Sequence, residues 1–153
     1  MNYAAPAAAC AADVLELLAR SGRAHSVTEM SRALETSRSL VFRVVRELEA
    51  RSLLRATESG RYWLGLGALE IGGAFVAHVD HADSARRVLR ELSARTGETS
   101  NLGVLSGSDV LYLMKQDGPN SAMTISYVGK RLPANCTALG KALLAALPDR
   151  VRR

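Results

Sequence analysis

The chain has 153 residues, 48% of them hydrophobic, with a formal net charge of +5 and two cysteines, enough for one domain with a real core or two small ones. No uncharged apolar run reaches the about 18 residues that a membrane span needs, so no membrane partner is expected. Cys10 and Cys136, far apart in sequence, make no disulfide framework, and a reducing cytoplasm is the expected location.

The alanine-rich start, "MNYAAPAAACAADV", has no basic stretch ahead of its apolar residues, so no signal peptide is expected. Residues 11–20, "AADVLELLAR", place Val14, Leu15, Leu17 and Leu18 on a broad apolar helical face. "SGRAHS" breaks that pattern and "SVTEMSRALE" restarts it. Ser26 or Thr28 can cap the second helix, Glu29 sits in its favourable first turn, and Val27, Met30, Ala33 and Leu34 face inward. "TSRS" then supplies capping oxygens for a third helix from about Ser37 to Ala50. At about 100° per residue, Val41, Val44, Val45 and Leu48 fall on one side of it. Ser39, Arg43, Arg46 and Ala50 fall on the other, with Phe42 and Glu47 at the margins.

Two apolar or aromatic runs flank "TESG" in "SLLRATESGRYWLG", which reads as a β-hairpin. Helix, helix, turn, basic helix and hairpin outline a winged helix-turn-helix, a fold that lays its recognition helix in the DNA major groove. The charge agrees: from Arg20 to Arg61 there are nine arginines against five glutamates. Arginine is always charged, and its planar fork suits phosphates and guanine edges. The residues expected at DNA are Ser37, Arg38, Ser39, Phe42, Arg43 and Arg46, with Ser39 and Arg43 at base edges. Phe42 either touches a thymine methyl or packs beneath the wing. Arg55 and Arg61 flank the wing turn and suit phosphate or the minor groove, while Tyr62 and Trp63 pack the wing against the body.

"GLGALEIGG" follows, but Glu70 stands where a dinucleotide fingerprint needs glycine, so no cofactor is expected. Ile71 and Phe75 here, with Val14, Leu17 and Leu18 of the first helix, are the expected dimer surfaces. "HVDHAD" gathers His78, Asp80, His81 and Asp83; a zinc site needs three or four convergent ligands, and a polar break between helices explains the run better. Ala85, Val88, Leu89 and Leu92 take core spacing on the next helix, which Thr96-Gly97 stops. "TSNLGVLSGSDVLYLMKQDG" then reads as two strands joined at "SGSD", and "SAMTISYVGKRLP" continues the β character to Pro133. "NCTALGKALLAAL" closes with a helix capped by Asn135 or Thr137. Cys136 has no base near in sequence, all three histidines preceding residue 82, so no catalytic residue, metal or enzymatic activity is expected. The free N–H groups at the start of this last helix either receive a carboxylate or are simply capped.

Three stretches together resemble the IclR family of bacterial transcription regulators: "LETSRSLVFRVVRELEARSLL…GRYWLG", "SARRVLRELSARTGET" and "VGKRLPANCTALGKALLA". The resemblance runs from about Ala11 to Leu147. It implies a cytoplasmic, dimeric or tetrameric repressor-type regulator that binds a double-stranded operator. It also implies a GAF-like domain that binds a small, often carboxylate-bearing metabolite, a role that transfers to Gly129, Asn135, Cys136 and Thr137. The expected fold is therefore a mainly α winged helix-turn-helix over 1–66, a linker helix over 67–81 and a partial α+β effector domain over 82–153. Two departures stand out. Glu35 occupies the turn position where the family usually has glycine, and the chain ends at "LPDRVRR", short of the family's full effector domain. A truncated dimerisation or interaction module without specific DNA binding is the alternative reading.

Overall fold

The computed structural model describes residues 5–78, 82–121 and 126–148. Its first helix, α1 (Pro6–Ser21), begins five residues before the amphipathic pattern does. Pro6 occupies the first turn, where its missing N–H costs nothing, and alanine is the strongest helix former, so the alanine-rich start is helical too. Gly22, at φ 65°, closes α1 by donating its N–H to the Leu18 carbonyl. Helix α2 (Val27–Ala33) carries a complete capping box. Ser26 Oγ accepts from the Glu29 N–H, and the Glu29 carboxylate accepts from the Ser26 N–H at 2.7 Å.

Glu35 forms the turn into α3 (Arg38–Ala50) in the left-handed region, at φ 48°. Ser37 caps α3, and the helix ends in a Schellman arrangement in which Leu53 N–H meets the Leu48 carbonyl and Ser52 N–H meets that of Glu49. Ser52, at φ 58°, takes the place glycine usually fills there. Strands β1 (Leu54–Ala56) and β2 (Tyr62–Leu64) then form the antiparallel wing, with Leu54 opposite Leu64 and Arg55 opposite Trp63.

The core of this region joins Cys10, Val14 and Leu18 of α1 to Met30 of α2 and to Val41, Val44, Val45 and Leu48 of α3, with Leu54 closing it from the wing. Tyr62 and Trp63 pack against it, as do Val27 and Leu34. Two expectations are corrected. Ala33 is exposed rather than inward, and Val14 and Leu18 are wholly enclosed by their own core, which removes them as a surface for a second copy.

Gly65 leads into α4 (Leu66–Ala77), and a Cβ there would collide with the Ser52 carbonyl oxygen. Close backbone approach, rather than a nucleotide loop, is what this glycine serves. The chain divides within α4 into two compact units, Met1–Phe75 and Val76–Arg153.

In the second unit α5 (Ala82–Thr96) precedes a three-stranded antiparallel sheet of β3 (Ser100–Ser106), β4 (Asp109–Gln116) and β5 (Arg131–Pro133), in the order β3-β4-β5. The register slips where Leu102 pairs with Met114 but Gly103 pairs with Tyr112, leaving Leu113 as an extra residue. That bulge brings Leu113 and Met114 together into one cluster with Leu89 of α5. A second cluster joins Val110, Tyr112 and Ala134 to Leu139, Leu143 and Leu144 of α6 (Ala138–Ala145). Thr137, not Asn135, caps α6, its hydroxyl accepting from the Gly140 N–H at 2.9 Å. Ala134–Cys136 form one turn of 3-10 helix, so close to α6 that a Cβ on Gly140 would strike the Ala134 carbonyl.

Ala85 and Leu89 contribute to the core as expected, whereas Val88 and Leu92 are exposed. Of the stretch read as β up to Pro133, residues 122–125 lie outside the described part, Tyr127–Lys130 make a turn, and only Arg131–Pro133 form strand. Asp80 and His81 of "HVDHAD" also lie outside it. Among the described residues no helix is long and apolar enough to cross a membrane, and no three His, Cys, Asp or Glu side chains could hold a metal ion.

Candidate nucleic-acid interface

The valines fix how α3 presents itself. With Val41, Val44, Val45 and Leu48 buried, Ser39, Phe42, Arg43, Arg46 and Ala50 are turned to solvent. The electrostatics of its first turn are unusual. Helix N-termini favour carboxylates, and α2 has Glu29 there, yet α3 has no acidic residue and starts with Arg38. A cation on the positive end of the helix dipole costs stability unless an anion from outside meets it.

The side chains of Arg38 and Arg43 make no hydrogen bond or ion pair among the described residues, and neither does that of Arg55 on the wing. Arg46 pairs with Glu49 at 2.9 Å on the helix surface, a contact weak enough to be exchanged for a phosphate. Ser37 caps the helix and lies 3.4 Å from Ser39 Oγ. Phe42 leaves 52% of its surface exposed, so its ring is not packed away beneath the wing.

A recess of about 680 Å³ opens between the start of α2, the first turns of α3 and the wing tip. Ser26, Thr28, Arg38, Ser39, Phe42 and Tyr62 line it. Thr28 belongs to this surface, though its sequence signal was only that of a capping residue. Of the side chains read from the sequence as DNA contacts, Ser39, Phe42, Arg43 and Arg46 share the solvent face of α3, Arg38, Ser39 and Phe42 line the recess, and Arg55 stands apart on β1 of the wing.

Arg61 is placed differently. Its Nη1 donates to both carboxylate oxygens of Glu29, at 3.0 and 2.9 Å, and lies 3.3 Å from the Ala24 carbonyl oxygen. The Ser26 backbone N–H is the chief reason that the Glu29 carboxyl is held down to about 2; the Ser26 and Arg61 hydrogen bonds add to it. His25 lies buried beside this pair. Its backbone exchanges hydrogen bonds with Tyr62 of the wing at 3.0 and 2.7 Å. Both ring nitrogens of His25 lack a partner among the described residues, and burial, then Arg23, depresses its pKa.

In the second unit, Gly129 sits at φ 86° in the turn before β5. Asn135 and Cys136 are exposed in the 3-10 turn, where the Cys136 thiol donates to Asn135 Oδ1 at 3.3 Å. The Thr137 hydroxyl is already committed to capping α6.

Residues 7–58 match the model of the IclR helix-turn-helix domain, and residues 73–153 match that of the C-terminal region of bacterial IclR regulators. The HTH-type transcriptional regulator XynR of Escherichia coli is 33% identical over 140 residues, covering 91% of this chain and 56% of XynR. The HTH-type transcriptional repressor AllR of Klebsiella pneumoniae is 30% identical over 136 residues, 88% of this chain and 50% of AllR. Among solved structures, an IclR transcriptional regulator from Alicyclobacillus acidocaldarius superimposes with a TM-score of 0.79 at 29% identity, over 97% of this chain and 61% of that one. The chain spans about half the length of the curated relatives it matches.

Proposed function

The chain belongs to the IclR family of bacterial transcriptional regulators, and we propose that it binds operator DNA sequence-specifically through α3. The observation that carries this reading is the solvent face of α3, where the side chains of Arg38 and Arg43 have no partner among the described residues, on a helix whose opposite face is locked into the core. Ser39 and Arg43 read base edges, Phe42 meets a thymine methyl, and Ser37, Arg38, Arg46 and Arg55 grip the backbone. Most of the affinity is counterion release from arginine–phosphate contacts. The protein is a cytoplasmic regulator, repressor-type as AllR is named, and not an enzyme.

It acts as a homodimer or homotetramer. Leu66, Leu69, Ile71 and Phe75 of α4 are each at least 60% exposed, more apolar surface than a solvated helix carries, and they supply the contact between copies. A small carboxylate-bearing metabolite binds at Gly129, Asn135, Cys136 and Thr137, a reading supported by the exposure of Asn135 and Cys136 in the turn just ahead of α6.

Selection of duplexes from a randomised pool tests this. The proposal predicts recovery of an inverted repeat whose half-sites lie about one helical turn, roughly 34 Å, or a multiple apart. Recovery of unrelated duplexes in proportion to their input contradicts it and favours an interaction module that meets other regulators through α4.

A further inference from the structure

The wing and the helix-turn-helix meet at a polar joint rather than through apolar packing alone. On the wing side stands Arg61, the residue before β2. On the other side stands Glu29, in the first turn of α2 and half-buried. The Arg61 Nη1 reaches both Glu29 oxygens within 3.0 Å, and the same carboxylate accepts from Ser26 N–H at 2.7 Å. The Glu29 side chain therefore serves the cap of α2 and the base of the wing at once. Two backbone hydrogen bonds between His25 and Tyr62 run beside it. Thr28, Ser39 and Phe42 line the recess whose far wall is the wing, at Gly60 and Tyr62. The height of the wing over α3 sets the width of that recess.

We propose that Glu29 and Arg61 are positioning residues for DNA recognition: they hold the wing at a fixed height over α3 without themselves touching DNA. The inference rests on the operator-binding reading above. It makes Arg61 different in kind from Arg55, whose side chain has no partner among the described residues. Removing a phosphate contact lowers the salt dependence of binding by about 0.9 in the log–log slope. Removing a positioning residue lowers affinity and leaves the slope in place.

The test uses the full chain and a duplex selected from the randomised pool, with affinity measured across a salt series for wild type, Glu29→Gln, Arg61→Ala, Arg61→Lys and the double variant Glu29→Gln/Arg61→Ala. Ser26→Ala serves as a control that weakens the α2 cap and spares the pair. Trp63, the single tryptophan, lies in β2 and reports the state of the wing by its fluorescence in every variant. The expected result is roughly tenfold weaker binding for Glu29→Gln and Arg61→Ala, the scale of one lost charge-assisted hydrogen bond. The double variant should be no worse than either, the slope unchanged, the Trp63 emission altered, and binding largely restored by Arg61→Lys. Unchanged or tighter binding by Glu29→Gln, together with a shallower slope for Arg61→Ala, makes Arg61 a direct phosphate contact and overturns the proposal. So does a loss in Ser26→Ala equal to that in Glu29→Gln, which would trace the effect to helix stability. A wild type with no preference for the selected duplex fails at the operator-binding reading instead. That failure is distinguishable because the Trp63 response to Glu29→Gln is then still present.

Discussion

Replacing Glu35 by glycine should stabilise the helix-turn-helix unit. Glu35 sits at φ 48°, where an L-residue's Cβ crowds the backbone at a cost of about 1–2 kcal/mol. Its side chain is exposed and makes no hydrogen bond among the described residues, so little is lost with it. Glycine removes the crowding but gives the unfolded chain more freedom, which returns about 0.5–1 kcal/mol. The net gain is about 0.5–1 kcal/mol, which for a unit of this size raises Tm by about 2–8 °C. Thermal unfolding followed through Trp63 emission measures it within the right unit, because that residue packs on the first core. Glu35→Ala is the control, since it deletes the carboxylate and keeps the Cβ. A Tm for Glu35→Gly at or below that of Glu35→Ala would refute the strain account.

Further outcomes follow from the same geometry. Leu18→Ala empties a wholly enclosed site and should cost about 2–5 kcal/mol in denaturant unfolding. His25 should make stability fall as pH drops below about 6.5, because its depressed folded-state pKa means that the unfolded chain takes up the proton more readily. Replacing His25 by Leu should flatten that dependence below about pH 6.5, the charged groups facing His25 being Arg23, Glu29 and Arg61. Glu29, held at about 2, should contribute stability at pH values above the ordinary 4.5 that disappears as pH falls from there toward 2, a second acid limb missing in Glu29→Gln. Ile71→Ser with Phe75→Ser should shift the chain toward monomer in sedimentation while leaving the far-ultraviolet helix signal intact.

The recognition helix was legible because its apolar residues repeat at 41, 44, 45 and 48, a spacing that only a helix turns to one side. The capping box was legible for a similar reason: Ser26 and Glu29 lie three residues apart, so their geometry is local. What local pattern could not disclose was the second partner of Glu29, which lies 32 residues away on the wing. Arg61 consequently read, like Arg55, as a cation for phosphate or the minor groove. The family's glycine preference at the turn did point to the strained backbone at Glu35, whereas nothing in "ARSLL" distinguishes Ser52 as left-handed. Val88 and Leu92 fit core spacing yet are exposed, because a periodic face shows which residues could be buried together and not how much partner surface there is to cover them.

The central claim, that α3 reads bases, is tested most directly by the salt dependence of binding to the selected duplex and to random DNA, for wild type and Arg43→Ala. The account predicts a steep slope for wild type on both. It also predicts that Arg43→Ala loses mainly the preference, by about 1–3 kcal/mol, with its affinity for random DNA little changed. Equal weakening on both duplexes, with the preference ratio intact, would make Arg43 a backbone contact and contradict the account.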